Sequence, residues 1–177
     1  SMGGSIALNA TSLYPELFNS LTLLDSIVVL PPDRARGSSS NKSMIRADFI
    51  YDDLQAAIES FRLIPPQPCK NDYLLNHIAS KSFKEDSRGW MLKSDGKIMK
   101  TYKSKDLTDI LMSIKCPLNI VYGLMSQIFT QEILEYTLYV GNIPSERVIG
   151  VPGTMHHLFV DDPLSVIDAL KKLIGEN

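Results

Sequence analysis

Two stretches of this chain hold residue types whose placement could support nucleophilic catalysis. The first is "SMGGSIALNA", in which Ser1 stands immediately before two glycines and a helical pattern. A serine hydroxyl becomes a useful nucleophile when a sharp turn exposes it and a base takes its proton. Glycine serves such a turn because a side chain there would collide with neighbouring elements. A helix that starts at this point also aims backbone amides at the same spot, so the Met2 amide is expected to donate to an oxyanion. These four residues alone do not separate a nucleophile from a linker, since Ser-Met and Gly-Gly-Ser also occur as cleavage remnants and spacers. The second stretch is "VIGVPGTMHHLFVDDP", with His156 and His157 three and four residues after Gly153. A histidine on a loop after a last strand suits general-base work, because it can reach across the end of a sheet to a serine there.

The elements that must hold these groups are legible as alternating strands and helices. Small and apolar residues recur at helical spacing from Ser5 to Tyr14, with Ile6, Ala7, Ala10 and Leu13 sharing a face, and Pro15 ends the pattern. "SLTLLDSIVVL" reads as one strand buried on both faces, interrupted by Asp25. The middle third changes character. "DRARGSSSNKS" is a polar loop, "RADFIYDDLQAAIESFRLI" and "PPQPCKNDYLLNHIASKSF" carry helical periodicity, and "KEDSRGWMLKSDGKIM" is polar and turn-like. Beyond it come a short helix "DLTDILMSI", a strand "CPLNIVYG", a helix stopping at Gly141-Asn142, a strand "SERVIGVPG", and an amphipathic terminal helix with Ile167, Leu170 and Ile174 on one face. Strands alternating with helices predict an α/β fold with a parallel sheet.

A chain of 177 residues, 44% hydrophobic and 21% charged, can bury one core. Its net charge of −2, with basic residues spread along it, lacks the footprint of a nucleic-acid partner. No apolar run reaches membrane-spanning length, and the start does not resemble a signal peptide, so no membrane association is expected. Cys69 and Cys116 have no metal spacing and are expected to be free buried thiols in a reducing, cytoplasmic setting.

Taken in order, these motifs resemble the C-terminal part of an α/β-hydrolase-fold serine hydrolase, of the esterase, lipase and carbon–carbon hydrolase superfamily. "SMGGSIALNATSLYPELFNSLTLLDS" is similar to the nucleophile elbow with its following helix and strand, "IKCPLNIVYG" to the strand after the cap, and "GTMHHLFVDDP" to the segment with the catalytic histidine. The resemblance implies three regions: hydrolase core over 1–30, a mainly helical cap or lid over 31–105, and core again over 106–177. It implies Ser1 as nucleophile and His156, seven positions before Pro163, as base, with His157 as a packing or orienting neighbour. The acid that the family most often carries after the post-cap strand is missing, for that loop reads Gly123-Leu124-Met125-Ser126. Asp25, after the strand that follows the elbow, can supply the carboxylate instead, with Glu132 as the fallback, while Asp161 and Asp162 are expected to cap the terminal helix. Trp90, Phe61, Met91 and Tyr73 are candidate walls of a substrate pocket, core packing being equally open for each, and His77 is expected to be structural, on the apolar side of its helix.

The implied activity is cleavage of an ester or related carbonyl bond of a small, largely apolar substrate through an acyl-enzyme, without metal or organic cofactor. The implied partner is the N-terminal half of the fold, in the same or a separate chain, which would supply the second oxyanion donor. Two rivals stand beside this reading: a non-catalytic ligand-binding protein of the same fold, and a fragment active only with its missing half.

Overall fold

The structure, a computed structural model, describes residues 1–35, 49–95 and 106–175. The chain forms two compact units, one of Ser1–Ser38 with Lys105–Asn177, the other of Ser39–Ser104, inserted in sequence into the first. The first unit is a parallel sheet flanked by helices, and the inserted one is helical with an antiparallel hairpin, an α/β architecture.

In the first unit, helix α1 (Met2–Leu13) begins directly after Ser1, its N-cap residue, and stops where Tyr14 leaves helical geometry ahead of Pro15. Its buried positions are Leu8 and Thr11, and Thr11 Oγ1 donates back to the Ala7 carbonyl at 2.9 Å. The inward face therefore differs from the expected one, since Ile6 is 60% and Leu13 71% exposed. Gly4 decides the rotation. A Cβ there would lie 2.5 Å from both Cβ and Oγ of Ser26, so the first turn can press on the segment after the first strand only as glycine. That choice points Leu8, one turn on, inward.

Strand β1 (Leu21–Leu24) is shorter than the apolar run that contains it. Asp25 adopts a left-handed backbone, φ 44°, which ends the extended chain, although its N–H still donates to the Val121 carbonyl at 2.8 Å. Val28 and Val29 beyond it are buried without being strand. A short helix α2 (Pro32–Ala35) follows.

The inserted unit contains α3 (Leu54–Ser60), α4 (Asp72–Ser82) and a hairpin of β2 (Phe83–Asp86) with β3 (Gly89–Leu92). The hairpin corrects the expectation of helices and loops alone. Asp86 closes its turn by accepting from the Arg88 N–H and guanidinium, both at 2.8 Å, and the left-handed Gly89 (φ 127°) lets the chain return. Tyr51 adds a bridge to Trp90, exchanging two backbone hydrogen bonds of 2.8 Å. Among the described residues of the stretch expected to be helical, the helix covers Leu54–Ser60, started by the Asp53 side chain accepting from the Ala56 N–H at 2.8 Å, and positions 46–48 of that stretch lie outside the described residues.

Returning to the first unit, α5 (Thr108–Ser113) leads to β4 (Leu118–Gly123), then α6 (Gln131–Gly141), β5 (Val148–Val151), the short α7 (Leu158–Asp161) and α8 (Pro163–Ile174). Strand β4 is central and parallel to both neighbours, with Leu21 opposite Leu118 and Ile120 opposite Val148. One face packs Leu8, Leu23, Ile120, Phe129 and Ile133, the other Val121, Val151, Leu158, Val166 and Ala169. A polar residue inside this strand, the fully buried Asn119, is satisfied by Thr22 Oγ1 at 3.2 Å and Arg147 at 3.1 Å. Helix α8 buries Val166 and Ala169, with Leu170 and Leu173 packed beside them, whereas Ile167 and Ile174 of the expected face are 45% and 50% exposed.

Candidate active site

Parallel strands deliver their C-terminal ends to one edge of the sheet, and in open α/β folds that edge is where ligands bind. Here the ends of β1, β4 and β5 lead into Asp25, Gly123 to Ser126, and the His156 loop. Gly123 governs how close these segments come: a Cβ on it would sit 2.3 Å from the Met155 carbonyl oxygen and 2.6 Å from that of Thr154. Both are backbone atoms that cannot step aside, so only glycine admits the loop. Further hydrogen bonds fasten it, from the Met125 N–H to the Thr154 carbonyl at 2.9 Å and from Thr154 Oγ1 to the Val151 carbonyl at 2.9 Å. Asp161 takes the Met155 N–H at 2.7 Å.

The loop so held brings His156 Nδ1 to 2.7 Å from Asp25 Oδ1, with Asp25 fully buried and His156 7% exposed. Asp25 receives two further donors, the Gly123 N–H on Oδ2 at 3.0 Å and Ser126 Oγ on Oδ1 at 2.8 Å. A carboxylate accepts and does not donate, so the histidine nitrogen that faces it carries the hydrogen and Nε2 keeps its lone pair. The arrangement can take a proton at Nε2 and stabilise the imidazolium that results.

Ser1 is exposed at the start of α1. Its nitrogen donates to Ser26 Oγ at 2.7 Å and lies 3.3 Å from the Leu24 carbonyl, while Ser26 Oγ donates to that same carbonyl at 2.9 Å. The Met2 amide belongs to the first helical turn, ahead of the Gly4 N–H, which donates to the Ser1 carbonyl at 2.8 Å.

The remaining expected residues fall elsewhere. Glu132, the fallback acid, pairs with Arg34 at 2.7 Å on an exposed surface. His157 stacks edge-on against His156 with ring centroids 4.9 Å apart and meets Phe159 at 6.4 Å. Of the two aspartates expected to cap α8, only Asp162 does so, accepting from the Ser165 N–H at 3.1 Å; Asp161 holds the Met155 amide instead. Trp90, Phe61, Met91 and Tyr73 all belong to the inserted unit: Trp90 and Met91 in β3, Phe61 edge-on to Phe83 at 6.4 Å, and Tyr73 69% exposed on α4. His77 lies on the exposed face of α4, not the apolar one. Cys69 and Cys116 are free and only partly buried. Ser126, Gly123 and Asp161 escaped the sequence reading as site residues. A lone serine in "GLMS" has no periodic or compositional mark, and the only available signal was its position after the strand.

Among the described residues no cluster of three or more His, Cys, Asp or Glu side chains could hold a metal ion, and no helix is long and apolar enough to cross a membrane. A cavity of about 450 Å³ lies at the other end of β4, lined by Leu111, Cys116, Leu118, Ile143 and Arg147, away from His156.

The chain matches no family model and no curated protein. Solved structures do resemble it. They include E-2-(acetamidomethylene)succinate hydrolase, with TM-score 0.76 and 20% identity over 99% of this chain and 64% of that one. An esterase from Mycobacterium tuberculosis matches with TM-score 0.74 and 18% identity over 97% of this chain and 57% of its own. A thioesterase domain from the curacin biosynthetic pathway follows with TM-score 0.63 and 19% identity over 98% and 62%. The chain thus spans 57–64% of the length of these structures. At such identities the likeness speaks for architecture: the fold of this chain is related to that of the α/β-hydrolase superfamily.

Proposed function

We propose that the protein is a serine hydrolase that cleaves an ester or related carbonyl bond of a small, largely apolar substrate through an acyl-enzyme. The observation that carries this reading is the buried 2.7 Å contact between His156 Nδ1 and Asp25 Oδ1 at the sheet edge to which Ser1 also belongs. In this reading Ser1 Oγ attacks the carbonyl carbon as its proton passes to His156 Nε2, and the Met2 N–H donates to the oxyanion. The imidazolium returns the proton to the leaving oxygen as that bond breaks, leaving an acyl-serine. Water then attacks the acyl carbon, losing its proton to the same nitrogen, and Ser1 departs with that proton. The Asp25 carboxylate stabilises the cation in both steps. A second oxyanion donor, outside these residues, belongs to the proposal too.

The ligand-binding alternative drew its support from the missing carboxylate in the Gly123 to Ser126 loop. A buried carboxylate already bonded to the histidine weakens that support. The test is labelling with a fluorophosphonate, followed by peptide mapping. A covalent adduct on Ser1 that is lost in His156→Ala is expected, whereas an unlabelled protein that hydrolyses no p-nitrophenyl ester would overturn the reading.

A further inference from the structure

We propose that Ser126 is a positioning residue whose hydroxyl is locked as a donor to Asp25 and thereby sets the basicity of His156. The inference rests on the hydrolase reading above, but its geometry is independent of it. A hydroxyl has one hydrogen and two lone pairs. Ser126 Oγ accepts from the Phe129 N–H at 3.1 Å and from the Ile128 N–H at 3.3 Å, which occupies both lone pairs with backbone donors. Its single hydrogen is then left for Asp25 Oδ1, 2.8 Å away. Rotation to an alternative acceptor would forfeit these contacts, so the direction of the bond is fixed by the backbone rather than by the carboxylate.

The oxygen that receives this hydrogen is the one bonded to His156 Nδ1 at 2.7 Å, while the Gly123 N–H holds the other at 3.0 Å. Two fixed donors therefore pin the carboxylate in the orientation that aligns the imidazole, and the Ser126 hydrogen draws charge from the oxygen that stabilises the imidazolium. The hydroxyl is anchored in turn to the core, since Phe129 is 2% exposed and packs beneath α6. A serine at this position supplies no charge, and it aims one supplied from another strand.

Removal of the donor has a definite sign. The carboxylate of Ser126→Ala keeps its charge but disperses less of it, so the imidazolium is favoured and His156 releases its proton at higher pH. The acid limb of the pH profile for kcat/KM moves upward by roughly half a pH unit or more, with kcat down about tenfold and KM nearly unchanged. The other titratable groups near this pair are His157, at 4.9 Å between ring centroids, and Asp161 on the Met155 amide. Both are common to the parent and the variant.

The experiment is an NMR titration of the histidine rings in the parent, Ser126→Ala and Ser126→Thr, with His157 assigned by comparison with His157→Gln, alongside pH–rate profiles on a p-nitrophenyl ester. An upward shift of the His156 midpoint in the alanine variant, restored by threonine, is the expected result. An unmoved midpoint in a folded Ser126→Ala protein would overturn the inference. Should that variant not fold, the parent decides: a slowly exchanging Ser126 hydroxyl proton near the His156 ring is expected, and its absence would overturn the inference equally. A protein that hydrolyses no ester yet shows the midpoint shift would defeat the hydrolase reading alone.

Discussion

At the end of the parallel sheet, the fully buried Asp25 carboxylate takes three donors from two segments, Gly123 to Ser126 and the His156 loop, and the latter presses two backbone oxygens close to Gly123. In the inserted unit the buried hydrophobic side chains among the described residues are Ala57, Ala79 and Phe83, with Tyr51 and Phe61 edge-on to the Phe83 ring at 5.9 and 6.4 Å. The first region is over-determined at its carboxylate, because both Asp25 oxygens have partners held by backbone or core. The second hangs on one aromatic cluster and a hairpin. Substitutions in the first should therefore cost chemistry, and in the second local stability.

Two substitutions press hardest on this contrast. His156→Ala should reduce turnover of a p-nitrophenyl ester by about 10⁴- to 10⁶-fold, and Asp25→Asn by about 10³- to 10⁴-fold. The order matters, since asparagine preserves much of the bonding to Gly123 and Ser126 but presents no charge to the imidazolium. Equal activity in Asp25→Asn and the parent, measured by initial rates, would show that the buried network is only architecture. Next in size is Phe83→Ala, which empties the one large buried position among the described residues of the inserted unit and should cost that unit about 3–5 kcal/mol. Hydrogen exchange should then accelerate at the Tyr51 and Trp90 amides while the Gly123 amide, bonded to Asp25, keeps its protection. Uniform acceleration throughout would erase the distinction between the regions.

A smaller effect is expected at Gly123→Ala. The added methyl would lie 2.3 Å from the Met155 oxygen, so the histidine loop must retreat. A displacement of about 1 Å at a reacting group costs roughly 10²-fold in rate. The variant should show that loss in kcat with a far-ultraviolet circular dichroism spectrum like that of the parent; an unchanged kcat would mean that the loop is not set by this contact.

Legibility in the sequence followed the same division. Strand β4 was plain because burial on both faces demands a nearly continuous apolar run, and Asp25 stood out as the polar break in the run that holds β1. Its effect on β1 was not plain: the left-handed turn at φ 44° is a choice of backbone that composition does not report. The hairpin was hidden because Lys84, Glu85 and Asp86 give β2 no alternation of apolar and polar residues, its pairing being set by the Asp86 turn and by Trp90. Ile6, Leu13, Ile167 and Ile174 misled because apolar residues also populate helix surfaces, and which face turns inward was decided by Gly4 against Ser26 and by Val166 and Ala169 against the sheet. The triad positions were proposed through likeness to known motifs, whereas Ser126 needed coordinates, because a hydrogen-bond donor is defined by what its lone pairs already hold.

Asp162 tests the mildest form of the contrast, a polar group at the margin of the over-determined region. It starts α8 by accepting from the Ser165 N–H at 3.1 Å and from Ser165 Oγ at 2.7 Å. The bond from the Ser165 hydroxyl, and then that from its amide, hold the carboxyl below its ordinary value of 3.8. A folded-state value below the unfolded one means that the stabilisation is present above pH 3.8 and fades as pH falls through the lower, folded value. Asp162→Ala should therefore lower the urea midpoint slightly at pH 7, and the difference from the parent should shrink as the pH is taken below 3.8. Activity should fall little, since the adjacent Asp161, which holds the Met155 amide at 2.7 Å, is untouched. If Asp162→Ala instead lost as much activity as Gly123→Ala, the cap of α8 would have to be counted among the supports of the histidine loop, and the over-determined region would extend a full helix further than the hydrogen bonds around Asp25.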